Sequence, residues 1–106
     1  MKRLTISTLA LFAAGPAFAQ PALNSCADIP ELATLVMTRR QVNYDIMLMI
    51  NYMNSEYSDY PELMMWAQAM IDQAYTEAVS GDPQARQAQV EAFKAQWLER
   101  CEATHS

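Results

Sequence analysis

The side chains here that could do chemistry are two cysteines, one histidine, a set of methionines and a few clustered carboxylates. Methionine stands out. Beyond Met1, the sequence carries Met37, Met47, Met49, Met53, Met64, Met65 and Met70. Soft thioethers suit Cu(I). Met49 and Met53, four residues apart, share a helical face that would suit one ion. Copper sites usually recruit a nearby His or Cys, however, and the one histidine, His105, lies on the C-terminal tail. Methionines at helical spacing also fill irregular gaps in a core, and Met49, Met53 and Met70 fall on stripes already needed for packing. Packing is the favoured reading. A Met-rich copper-binding protein is an alternative, and no cofactor is expected.

Carboxylates offer the one route to an enzyme. Glu56, Asp59 and Glu62 cluster within seven positions, and a carboxylate pair about 5–9 Å apart can run glycoside hydrolysis. A domain this small forms no deep cleft, and acids near a helix start usually serve the helix dipole. Ser58 and Ser80 have no Lys or His close in sequence, so no nucleophile–base set is visible. After residue 19 the one glycine is Gly81, which leaves no glycine-rich phosphate loop. The expectation is a non-enzymatic protein.

A partner surface is the other use for the methionines. Met47, Met64 and Met65 fall off the main apolar stripes, as do Tyr44 and Tyr57. Flexible Met beside Tyr makes an adaptable contact surface. Arg39-Arg40 is the one basic doublet after residue 3. It falls where the first helix should end, a favourable place for positive charge, and could also meet an acidic ligand.

Four helices must position these groups. The first is predicted over 28–41, with Ile29, Leu32, Leu35 and Val36 near one stripe. The second starts near Asn43, a plausible cap, with Ile46, Met49, Ile50 and Met53 at helical spacing. Residues 54–60 read as a polar loop. The third is predicted over 60–80, with Leu63, Trp66, Met70 and Ala74 along one face. The fourth is predicted over 83–103, with Val90, Phe93, Trp97 and Cys101 along one face. Asp28-Ile29-Pro30-Glu31 and Asp59-Tyr60-Pro61-Glu62 repeat one helix-start device of Asp cap, early Pro and first-turn Glu. In Gly81-Asp82-Pro83, Gly81 can end one helix, Asp82 can cap the next and Pro83 can open it. No segment alternates with period two, so no sheet is expected. Short connections favour antiparallel neighbours between the first and second helices and between the third and fourth.

The N-terminus reads as an export signal. Lys2 and Arg3 precede an uncharged apolar stretch over residues 4–15, Pro16 breaks it, and Ala17-Phe18-Ala19 offers a cleavage site. The apolar stretch is too short to span a bilayer. The division expected is a cleavable signal peptide over 1–19 and a single helical domain over 20–106, in the periplasm or secreted, with no membrane attachment after processing. Loss of Lys2 and Arg3 takes the seven basic residues to five against twelve acidic ones, so the net charge deepens from −5 to −7. That balance argues against nucleic acid or anionic lipid as a partner. In an exported protein the two cysteines, Cys26 and Cys101, favour a disulfide. It would tie the start of the first helix to the end of the last, because Cys101 shares the face of Phe93 and Trp97. With no CxxC spacing and a distant His105, they make a poor metal set. The fold class expected is all-α: a small up-and-down bundle of about four helices closed by one terminal disulfide.

A Cys before the first helix, Arg40 near its end, Ala74-Tyr75 in a late helix and Cys101 near the C-terminus together resemble small periplasmic two-cysteine helical proteins of bacteria. In size, helix content and single bridge the chain is also similar to periplasmic acid-stress chaperones, although its cysteines lie farther apart. Two functions are therefore in view. One is an interaction module of inhibitor, immunity or assembly type. The other is an acid-activated chaperone, in which neutralising twelve carboxyls reverses the net charge and loosens the bundle.

Overall fold

The computed structural model describes residues 25–105, and the expected signal segment lies outside them. The described residues form four helices: α1 (Ile29–Gln41), α2 (Ile46–Glu56), α3 (Pro61–Ala74) and α4 (Pro83–His105). No strand occurs among them. A disulfide joins Cys26 to Cys101 across backbones 5.9 Å apart at Cα, so the all-α bundle is closed by a terminal staple as expected.

Local chemistry sets each boundary. α1 opens with Pro30 in its first turn and carries Glu31 there, with Arg39 and Arg40 in its last turn. Both ends thus complement the helix dipole. Asp28 and Tyr60 occupy the N-cap positions of α1 and α3, yet neither makes a side-chain cap bond. The Asp-x-Pro-Glu device therefore works through Pro and Glu and not through an Asp cap.

Asn43 is not the cap of α2. It sits at φ 61°, the left-handed conformation that Asn tolerates better than most residues. Asn43 N–H donates to Arg40 O (3.0 Å) and Tyr44 N–H to Arg39 O (3.0 Å), the bond pair of a Schellman ending. Asn43 thus terminates α1. Two residues on, Asp45 caps α2 by accepting from Met47 N (2.9 Å) and Leu48 N (3.2 Å).

α3 stops at Ala74, six residues before the end expected from its pattern. Side chains from α1 hold the backbone of the segment that follows. Arg40 donates through Nε (3.1 Å) and Nη2 (2.8 Å) to Glu77 O. Gln41 donates to Ala78 O (3.3 Å) and accepts from Ser80 N (3.0 Å). Gln89 reaches Glu77 Oε1 and Ala78 O from the other side. The 75–80 segment is therefore laced to α1 and α4. Gly81 ends no helix, whereas Asp82 caps α4 as expected, accepting from Ala85 N at 2.9 Å.

α1 is the central element. It packs most extensively along α4 and also against α3, and α2 packs chiefly on α3. The backbones of α1 and α2, and of α3 and α4, are not the closely apposed pairs that short connections suggested. Instead α3 meets α4 through large side chains. Trp66 and Trp97 lie edge to face at 6.0 Å, and Phe93 tilts onto Trp97 at 6.1 Å. Both tryptophans are buried, as are Ile29, Leu32, Val36, Val90 and Phe93. The Trp97 Nε1–H has no acceptor among the described residues, so this indole contributes through its ring.

Candidate functional site

The apolar residues that the fold leaves in water concentrate at the head of α2. Val42 is 68% exposed, Met47 57%, Leu48 53% and Ile46 36%. Ile46 through Ile50 is an unbroken run of five apolar residues. A helix turning 100° per residue cannot aim five consecutive side chains at one neighbour. Met49 is fully buried and Ile50 half-buried, while the three before them face outward. That run was the signal for Met47 and Leu48; Ile46, expected on the stripe of Met49, Ile50 and Met53, is instead exposed, and Val42 lies before the run.

The five residues expected to form a partner surface divide by exposure. Met47 and Met65 (55% exposed) are open to solvent. Met64 is half-buried. Tyr44 and Tyr57 are half-buried against the core. Tyr44 is held from two sides: the Arg39 guanidinium lies 5.0 Å from its ring centre, and its carbonyl accepts from Tyr75 Oη at 2.6 Å. Arg39 also covers the Tyr52 ring at 4.4 Å, and Arg40 covers that of Tyr75 at 5.0 Å. The basic doublet thus faces aromatic rings, and Arg40 does more than complement a dipole. Burial raises the Tyr75 phenol above its ordinary pKa of 10.0, against the opposing pull of Arg40.

Met49 and Met53 are fully buried, as are Met37 and Met70. All four belong to the cluster that contains Trp66 and Ile71, where thioethers fill space between rings and branched chains.

The carboxylates gather at the other end of α2. Asp28, Asp59 and Glu62 line a hollow of about 490 Å³ together with Ser25, Tyr60 and Leu63. An adjoining hollow of about 310 Å³ adds Glu31, Leu32 and Tyr57. Glu56 lines neither. Burial raises the Tyr57 phenol above its ordinary value, and Tyr52, Glu56, Glu31 and Asp28 add to the rise. All of these carboxylates are exposed.

His105 is not remote from the cysteines. It lies in the last turn of α4, one turn beyond Cys101. A ring nitrogen of His105 and the sulfurs of Cys26 and Cys101 all lie within 4.8 Å of one another. Cys101 is buried, Cys26 half-buried and His105 exposed. Among the described residues no other group of three or more His, Cys, Asp or Glu converges this closely. No helix among them is long and apolar enough to cross a membrane. Compared with known protein families, curated proteins and solved structures, the chain matches none.

Proposed function

We propose that this chain is an exported, non-enzymatic interaction module, of inhibitor, immunity or assembly type, that meets a protein partner through the head of α2. The observation that carries this reading is the exposure of Val42, Ile46, Met47 and Leu48 in one short stretch. Such a patch costs solubility unless it is used, and the excess of acidic residues offsets that cost. Met and Leu at its centre offer adaptable apolar contact. Asp45, at its edge, is committed to capping α2. The test uses the processed domain, residues 20–106, as bait in a periplasmic extract, beside a Met47→Lys/Leu48→Lys variant. The expected result is a partner held by the parent domain and lost by the variant, with unchanged circular dichroism. A set of bound proteins identical for both overturns the reading.

A second reading, the acid-activated chaperone, draws on Asp45. Its carboxylate caps α2, the helix that carries Met49 and Met53, and the reversal of the domain's net charge in acid would loosen the bundle around it. Binding of a hydrophobic dye and suppression of client aggregation should then rise as pH falls toward about 2. A compact, dye-silent domain at that pH ends this second reading.

A further inference from the structure

We propose that Cys26, Cys101 and His105 form a zinc site that is created when the disulfide is reduced, with two thiolates and one imidazole as ligands and a fourth position left to water. The three donor groups already converge within 4.8 Å. Two of them, Cys101 and His105, sit four residues apart on one face of α4, a spacing that lets a single helix supply two ligands to one ion. The third comes from the turn leading into α1, where Cys26 O accepts from Ile29 N at 3.2 Å. Two separate elements therefore already hold the donors in place.

The metric requirements are modest. Zinc takes sulfur at about 2.3 Å and imidazole nitrogen at about 2.0–2.1 Å, which around a tetrahedral ion sets the two sulfurs about 3.8 Å apart and each sulfur about 3.5 Å from the nitrogen. Cysteines whose Cα atoms are 5.9 Å apart can reach that separation by side-chain rotation. The His105 ring is exposed and Cys101 buried, so the ion has a solvent side at His105 and a buried side at Cys101, which belongs to the apolar core cluster. Two thiolates suit Zn(II) or Cu(I), and a mixed Cys/His set of three with an open fourth position is a zinc arrangement.

The chemistry has two steps. A dithiol reductant supplies two electrons and two protons, the Cys26–Cys101 bond breaks into two thiols, and the reductant leaves as its own disulfide. Zinc then displaces the two thiol protons as it binds. The ion closes the same loop of the chain that the covalent bond closed. Oxidised and zinc-loaded forms would thus both be stapled, and the metal-free reduced form would not.

The test uses the full processed domain, with a phosphine reductant that competes poorly for zinc. Native mass spectrometry and competition with a colorimetric chelator read stoichiometry and affinity, and thermal unfolding reads the staple. Expected are no tight binding to the oxidised protein, one zinc per reduced chain, and a rise in its unfolding midpoint. His105→Ala leaves the disulfide in place, so the variant folds oxidised. After reduction it should bind zinc at least about tenfold more weakly than the parent, the loss typical even of outer-sphere partners. Equal zinc affinity of reduced parent and reduced His105→Ala overturns the proposal, because two thiolates on an opened chain would then suffice. Equal binding to the oxidised protein also overturns it.

Discussion

Removing the disulfide should bring this fold close to its limit of stability. The bridge joins residues 75 positions apart, and the chain-entropy relation assigns a loop of that length about 4.5 kcal/mol at 25 °C. A domain of this size is normally stable by only about 4–12 kcal/mol. A Cys26→Ala/Cys101→Ala variant also leaves a gap in the core cluster, because Cys101 is fully buried. That adds about 1 kcal/mol for the lost sulfur contact. The expected total is about 5.5 kcal/mol.

The assay is urea unfolding followed by tryptophan fluorescence. Trp66 and Trp97 are the chain's two tryptophans, and both are buried. The midpoint should fall steeply, and the slope should rise because the unbridged denatured chain is more expanded. A loss below about 1 kcal/mol would refute the reasoning, because the α1–α4 contact would then hold the ends together without the cross-link.

Two further predictions concern the 75–80 segment. Arg40→Ala removes two charge-assisted bonds to Glu77 O and should cost about 2 kcal/mol in urea unfolding, with Arg40→Lys recovering only part because an ammonium lacks the planar fork. Tyr75→Phe removes the bond to Tyr44 O and should cost about 1 kcal/mol at neutral pH. The Tyr75 phenol titrates higher in the folded state than in the unfolded one. Its contribution is therefore complete below the ordinary tyrosine pKa and is lost as pH rises through that value and beyond. Tyr75→Phe should flatten the alkaline decline of the urea midpoint, and an unchanged decline would assign it to other groups.

The apolar stripes were legible because they depend only on helical spacing. Trp66, Met70 and Ala74 on α3 and Val90, Phe93, Trp97 and Cys101 on α4 are all buried. Asp82 was legible because its cap reaches only three residues along the chain. The failures are of a different physical kind. The segment after α3 is held by Arg40 and Gln41, 37 residues away from the carbonyls they capture, partners that local helical spacing does not show. Asn43 was ambiguous because a residue that caps a helix start also tolerates the left-handed turn that ends one. His105 looked remote because its distance from Cys26 along the chain is large, and only the α1–α4 pairing brings it to the bridge. The exposed run at Ile46–Leu48 was readable in principle. Five apolar residues in succession exceed what one face can bury.

These packing inequalities imply an order of opening. α1 packs against both α3 and α4, and α4 is covalently tied to the turn before α1. α2 packs chiefly on α3 and fully buries only Met49 and Met53. Elements with few buried contacts open at free energies well below global unfolding. Native-state hydrogen exchange should therefore show the amides from Met49 to Glu56 exchanging through a local opening, while those of α1 and α4 require the whole domain to unfold. Asp45→Ala removes the α2 cap and should lower protection of those α2 amides by about 1 kcal/mol, leaving α1 and α4 unchanged. Uniform protection across all four helices would refute this order. A partner seated on Met47 and Leu48 would bind only the closed form and would raise α2 protection in proportion to its concentration over its dissociation constant. The least stable helix would then be the one whose folding reports the partner.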